Sequence, residues 1–394
     1  MSGDQPVFSN QRPGGALVRG VAPRAPRALL WAFGLLCAAW ALSPALARAD
    51  APPFLAGLSP TTIATTQPPN LDQNPYGIVT VPNSIGSLHR GDLLVSNFNN
   101  NANTQGTGTT IVEIPPGGNS QVPGTASVFA HIDPSKLPGS CPGGVGLTTA
   151  LAVTRSGFVI VGSLPTTDSQ LDTAGAGCLL VLDSTGKVVQ TIAGGPINGP
   201  WDMTAVDHGF FATLYVTNVE NGDVATSGTP VDEGTVVRLQ LLTIPGLRPV
   251  VFDEDVIATG FPELASSTAV VLGPTGVALS RFGTLYVADT EANRIAAIPD
   301  ANDREFPIGG GGITISSGGA LNAPLGMTLA PNGDILTANG NDGFIVETTP
   351  GGQQVSKVDT GFGAGSLFGL TVSPGANSAY LVDDGNNTLA VLQP

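Results

Sequence analysis

The chain has 394 residues, 86 of them glycine or proline, with only 11 % charged residues and a formal net charge of −15. An apolar fraction of 41 % argues against disorder, and glycine is not at every third position, which excludes collagen. The composition also lacks the Ala, Glu, Lys and Leu of coiled coils and helical solenoids, leaving an all-β, turn-rich globular chain.

Residues 1–27 carry Arg12, Arg19, Arg24 and Arg27 against a single acid, Asp4. A 15-residue apolar run follows at 28–42, then Ala47-Arg48-Ala49. A basic region, an apolar stretch and an Ala-x-Ala site read as a secretory signal peptide spanning 1–49. The alternative, an uncleaved anchor, is disfavoured because the run is shorter than the ~20 residues that cross a bilayer. The product, residues 50–394, is expected in the periplasm or outside the cell, without membrane insertion. Five of the 15 basic residues precede position 50 but only one of the 30 acids does, so the remainder carries −19. That charge excludes nucleic acid and anionic lipid as partners. It leaves Cys141 and Cys178, which an oxidising compartment pairs as one disulfide; two buried thiols are the alternative. Neither C-x-x-C nor Cys/His zinc spacing accompanies them.

From residue 61 onward the chain repeats. A β-branched stretch at 61–66 precedes six imperfect units of short apolar runs separated by Gly, Asn, Asp or Pro turns. Their leading runs lie at 74–79, 149–153, 199–204, 273–279, 323–329 and 367–372. Such spacing describes antiparallel blades, which bury both faces only by stacking on neighbours. The expected fold is therefore a single six-bladed β-propeller of four-stranded antiparallel blades. The last unit stops one strand short at Pro394, so the segment at 61–66 is expected to close the ring and remove its exposed edges.

The unit Pro274-x-Gly276-Val277-Ala278-Leu279, Gly283-x-Leu285-Tyr286-Val287-Ala288-Asp289 and Asn293-Arg294-Ile295 closely resembles an NHL repeat, and the other five resemble it less fully. The resemblance covers residues ~60–394 and implies a platform for protein, peptide or RNA. It also brings in enzymatic relatives, namely lactonases of the gluconolactonase and paraoxonase kind and a streptogramin lyase.

In each unit the start of the first strand and the end of the second share one face. That face gathers Tyr76, Asn97, Trp201, Asp202, Asn218, Asp289, Asn339, Phe368 and Asp383 around the channel, with Thr275 and Leu325. Aromatic and amide groups there suit a small molecule, a peptide or a protein partner. Asn or Asp ends the second strand in five of the six units, which also fits local turn capping. Asp202 stands out, since other units carry Gly at its position. Gluconolactonase-type sites take a divalent cation on a Glu before the first inner strand, whereas this chain has Asn74, Pro75 and Tyr76 there. No metal is assigned; Asn97, Asp202, Asn218 and Asp289 are the residues that would offer oxygens to calcium. No nucleophile elbow, metalloprotease helix, phosphate loop or dinucleotide fingerprint occurs. His131 is expected on a strand, His208 in a turn, and the acids at 253–255 and 300–303 in solvated loops. The leading expectation is a monomeric, non-enzymatic ligand- or partner-binding propeller; the alternative is a calcium-assisted lactonase or related hydrolase.

Overall fold

The computed structural model describes residues 52–219, 228–267, 269–373, 375 and 377–394. The segment read as a signal peptide lies outside the described residues. Among the described residues, 25 strands form six antiparallel sheets, and no helix is long and apolar enough to cross a membrane.

Each sheet is a blade whose innermost strand lines the channel. Inner strands are Gln73–Thr80, Leu147–Val153, Gly199–Asp207, Pro274–Leu279, Pro324–Leu329 and Leu367–Val372 for blades 1 to 6. Blade 6 has the pairing order Leu367–Val372, Ala379–Asp383, Thr388–Gln393 and finally Ser59–Thr65. The N-terminal strand thus closes the ring, with Ser59 opposite Gln393 and Thr65 opposite Thr388.

Side-chain alternation builds the interior. Along the second strand of blade 1 (Leu93–Asn99), Leu93 and Val95 pack with Val382, Leu389 and Val391 of blade 6. Leu94, between them, packs with Val159, Val161 and Leu180 of blade 2. In blade 2, Leu179 and Val181 turn instead to Leu214, Val216 and Val237 of blade 3. A period of two with both faces apolar has this consequence: no blade buries its surface alone. The apolar layers therefore run between blades.

Cys141, in the connection entering blade 2, is bonded to Cys178 on that blade's third strand, with Cα atoms 5.4 Å apart. Blade 3 departs from the repeat. Its fourth strand, Val250–Ser266, is 17 residues long and continues into a short fifth, Val270–Leu272. The acids at 253–255 consequently lie on a strand rather than in a loop: Asp255 pairs with the buried guanidinium of Arg238, and Asp253 lies 3.7 Å from it. The buried cation needs carboxylates beside it, and the long strand supplies them. His131 ends the outer strand of blade 1, His208 stands in the loop before the next strand, and residues 299–303 form turns, as expected.

Candidate functional site

At the start of every inner strand the pairing with the second strand slips, for example between Pro200 and Asp202 and between Pro324 and Met327. A bulge re-aims a side chain. Here it gathers Tyr76, Trp201 and Phe368 into a stack, with Tyr76 3.9 Å from Phe368 and Trp201 6.4 Å from each, ring centre to ring centre. Phe98 stacks on Tyr76 at 4.6 Å. The rings are buried, and the Trp201 Nε1–H donates to the carbonyl of Val271 at 3.0 Å. The structure thus places these aromatics in a plug that fills the axis at this end, joined by Leu325.

The polar residues of the same face bond to the chain around them. Asn97 Nδ2 donates to the Thr66 carbonyl at 3.1 Å, and Asn339 Nδ2 to the Ala320 carbonyl at 2.8 Å. Asn218 Oδ1 accepts the amides of Asn198 and Gly199 at 2.8 and 2.9 Å. Asp289 pairs with Arg294 at 2.7 Å, and Asp383 accepts from Asn386 at 2.8 Å. In blade 2, Ser163 stands at the matching position and accepts the Gly146 amide at 2.9 Å. Several of these bonds fasten the segment entering a blade to that blade's second strand.

Asp202 is placed differently. It lines a cavity of about 280 Å³ that runs down the axis below the plug. Each blade contributes at least one aliphatic residue to its lining, Ile78, Leu151, Met203, Val277, Met327 and Leu370 among them. Thr149, Thr204, Thr328 and Thr371 add hydroxyl-bearing side chains. Asp202 is the sole charged residue among its described lining. Burial pushes this carboxyl well above the ordinary range, partly offset by the backbone amides of Met203 and Val277. Met203 donates to Oδ1 at 2.7 Å.

At the end away from the plug lies a groove of about 1070 Å³ across blades 3, 4 and 5. It shares Leu279 and Leu329 with the channel wall, so the channel mouth opens beside it. Phe211, Phe252 and Phe282 are 50, 54 and 78 % exposed there, the first two meeting edge to face at 6.0 Å. The Arg281 guanidinium lies 4.6 Å over the Phe282 ring. Tyr215 donates its hydroxyl to Asn302 Oδ1 at 2.6 Å, and burial raises the phenol to about 12, so it remains a donor. None of these groove residues is among those the sequence pointed to. The available signal was chemical: Phe210 and Phe282 occupy glycine turns, where polar residues are the rule, and Phe211 directly follows the first of them.

A calcium ion needs six to eight converging oxygens. Asn218 and Asp289 turn theirs to partners within the scaffold, which leaves the buried and unpartnered Asn97 Oδ1 and the Asp202 carboxyl, well short of that number. These residues do not fit a calcium centre. A separate set, His89, Asp92 and Glu113, sits on blade 1 with its donor atoms within 4.8 Å of one another. His89 Nδ1 is 3.4 Å from Glu113 and 4.0 Å from Asp92. That mixture of nitrogen and oxygen donors is of a type divalent zinc accepts.

No protein-family model matches the chain, and no curated protein matches it. Solved structures do resemble it. A gluconolactonase from Xanthomonas campestris superposes with a TM-score of 0.51 at 14 % identity, covering 86 % of this chain and 90 % of that one. A luciferin-regenerating enzyme superposes at 0.54 with 11 % identity, covering 86 % and 96 %. At these identities the likeness establishes a shared propeller fold, on which unrelated chemistries are built.

Proposed function

We propose that this chain is a secreted propeller that binds a small molecule or peptide at the end of its channel opposite the aromatic plug, and that it works by binding rather than catalysis. One observation carries the reading: a groove of ligand size, walled by exposed phenylalanines, adjoins the channel mouth. Export rests on the pattern at residues 1–49, and the Cys141–Cys178 disulfide suits an oxidising compartment. The test is a thermal-shift and calorimetric screen of soluble peptides and oligosaccharides. Ligands that stabilise the protein should lose roughly tenfold or more in affinity in Phe252→Ala and Phe282→Ala, the scale of an aromatic anchor. Neither exposed ring should change the melting temperature much. Undiminished binding in both variants would place the ligand elsewhere.

A hydrolase of the lactonase type is the second reading. In its favour is the buried carboxyl of Asp202, which burial shifts upward, the direction a general acid requires, on a fold shared with a gluconolactonase. Lactone turnover by the native chain that disappears in Asp202→Asn would establish it over the binding reading. Its calcium-assisted form has no convergent ligand set in the channel to support it.

A further inference from the structure

We infer that His89, Asp92 and Glu113 form a binding site for a divalent zinc ion on blade 1, separate from the groove and independent of the binding reading above. Residues 89–92 make the turn that enters the second strand of this blade, closed by the Asp92 amide donating to the His89 carbonyl at 3.1 Å. Glu113 stands on the third strand, Thr110–Ile114, opposite Leu94, and accepts the His89 amide at 2.8 Å. The three side chains are thereby held facing one another. His89 Nδ1 lies 3.4 Å from Glu113 Oε1 and 4.0 Å from Asp92 Oδ2. Two ligands of a tetrahedral zinc ion, each about 2.0–2.1 Å from it, stand roughly 3.4 Å apart. The histidine and Glu113 already have that spacing, and a small rotation of Asp92 completes it.

The repeat supplies the decisive comparison. Blade 5 has the same two acids in the same register, Asp334 just before its second strand and Glu347 opposite Leu336. There the Asn332 side-chain amide lies between them, donating to Asp334 Oδ2 and to Glu347 Oε1 at 3.0 Å each. The backbone amides of Phe54 and Leu55 complete the Glu347 carboxylate. In blade 1 the place of Asn332 is taken by Arg90, which forms no ion pair with either acid. Among the described residues neither acid has a lysine or arginine partner, and Glu113 has only the amide and ring of His89. Burial raises both carboxyls, and His89 offsets this only in part, so the pair is short of positive charge. The residue set beside them, where blade 5 has Pro331, is an imidazole, the nitrogen donor that zinc accepts together with carboxylate oxygens. The His89 side chain is 70 % exposed, which gives an ion access and leaves a coordination position open to water. A strongly acidic chain also concentrates cations at its surface.

The test is calorimetric titration of zinc chloride into the metal-stripped full-length chain at about pH 7. One tight equivalent should bind and raise the melting temperature. Calcium, which takes six to eight oxygens, should not compete for it. His89→Ala and Glu113→Gln should each weaken zinc by at least the roughly tenfold lost when a residue that merely supports a ligand is removed. The glutamine keeps an acceptor for the His89 amide, and the alanine removes an exposed ring, so His89→Ala decides the matter even where Glu113→Gln loosens the blade. His131→Ala, on the outer strand of the same blade, should bind zinc as the native chain does. A folded native chain without a tight equivalent, or one whose zinc affinity is undiminished in His89→Ala, would overturn the site.

Discussion

Single atoms decide how closely the inner strands approach the axis. At Gly326 a β-carbon would sit 1.9 Å from the Phe368 carbonyl oxygen, which is backbone and cannot step aside. Gly326→Ala should therefore destabilise by about 1–3 kcal/mol or more. Gly117→Ala, with nothing within 4 Å, should stay within roughly 0.5 kcal/mol of the native chain. Thermal unfolding of both variants checks the contrast, and equal melting temperatures would contradict it. Asp384 makes a pH-dependent prediction. Burial and the neighbouring Asp383 raise its carboxyl to about 8, and its buried Oδ1 has no hydrogen-bond partner. The native state then keeps a proton that the unfolded chain releases near pH ~4. Stability should fall as pH rises between those two values and level off above about 8. Asp384→Asn should flatten the melting-temperature profile between pH 5 and 9; a slope equal to the native one would refute the assignment. Legibility at this scale was uneven. Alternation and glycine positions brought Tyr76, Trp201 and Phe368 to one face, but whether rings line a mouth or close it depends on bulges that set distances across blades. The local turn capping expected of these residues holds for Asp289 and Asp383, whereas Asn97, Asn218 and Asn339 reach back to the segment entering their blade, a contact 19 to 31 residues distant that no local pattern encodes. The groove phenylalanines are far apart in sequence: Phe211 and Phe252 meet only when the second and fourth strands of blade 3 are paired through the third, and Phe282 joins them from a turn of blade 4.

Among the elements, the blades that keep the repeat were readable from apolar runs of period two punctuated by turns. Blade 3 was not, because its outer strand carries acids at 253–255 that look like loop charges until Arg238 is found beside them. A buried cation on the neighbouring strand, 17 residues earlier in the chain, leaves no local trace. The disulfide belongs to this scale too. Cys141 and Cys178 lie 37 residues apart and fasten the connection from blade 1 to the third strand of blade 2. On the chain-entropy account, closing such a loop contributes about 3–4 kcal/mol. Cys178→Ser should lower the unfolding free energy by about that amount in denaturant titration under oxidising conditions. Reductant should produce the same loss in the native chain and none in the variant. A variant as stable as the native protein would show that the bond adds nothing to a blade already packed on both faces.

For the whole molecule, the count of six blades followed from six copies of one pattern, and closure from a last copy that stops a strand short. The end of the channel that carries the groove did not follow, since every copy presents similar residues at the plugged end. The closing pair has a further, mechanical consequence. Ser59 lies opposite Gln393, so the segment before Ser59 and the residue after Gln393 lie at the same end of the pair. Tension between the termini would load the cross-strand hydrogen bonds one at a time, as a zipper does, rather than all together in shear. A ring that is sealed against thermal fraying therefore has a tear-strip where its two ends meet, and a pulling machine such as an unfoldase would find its lowest resistance there.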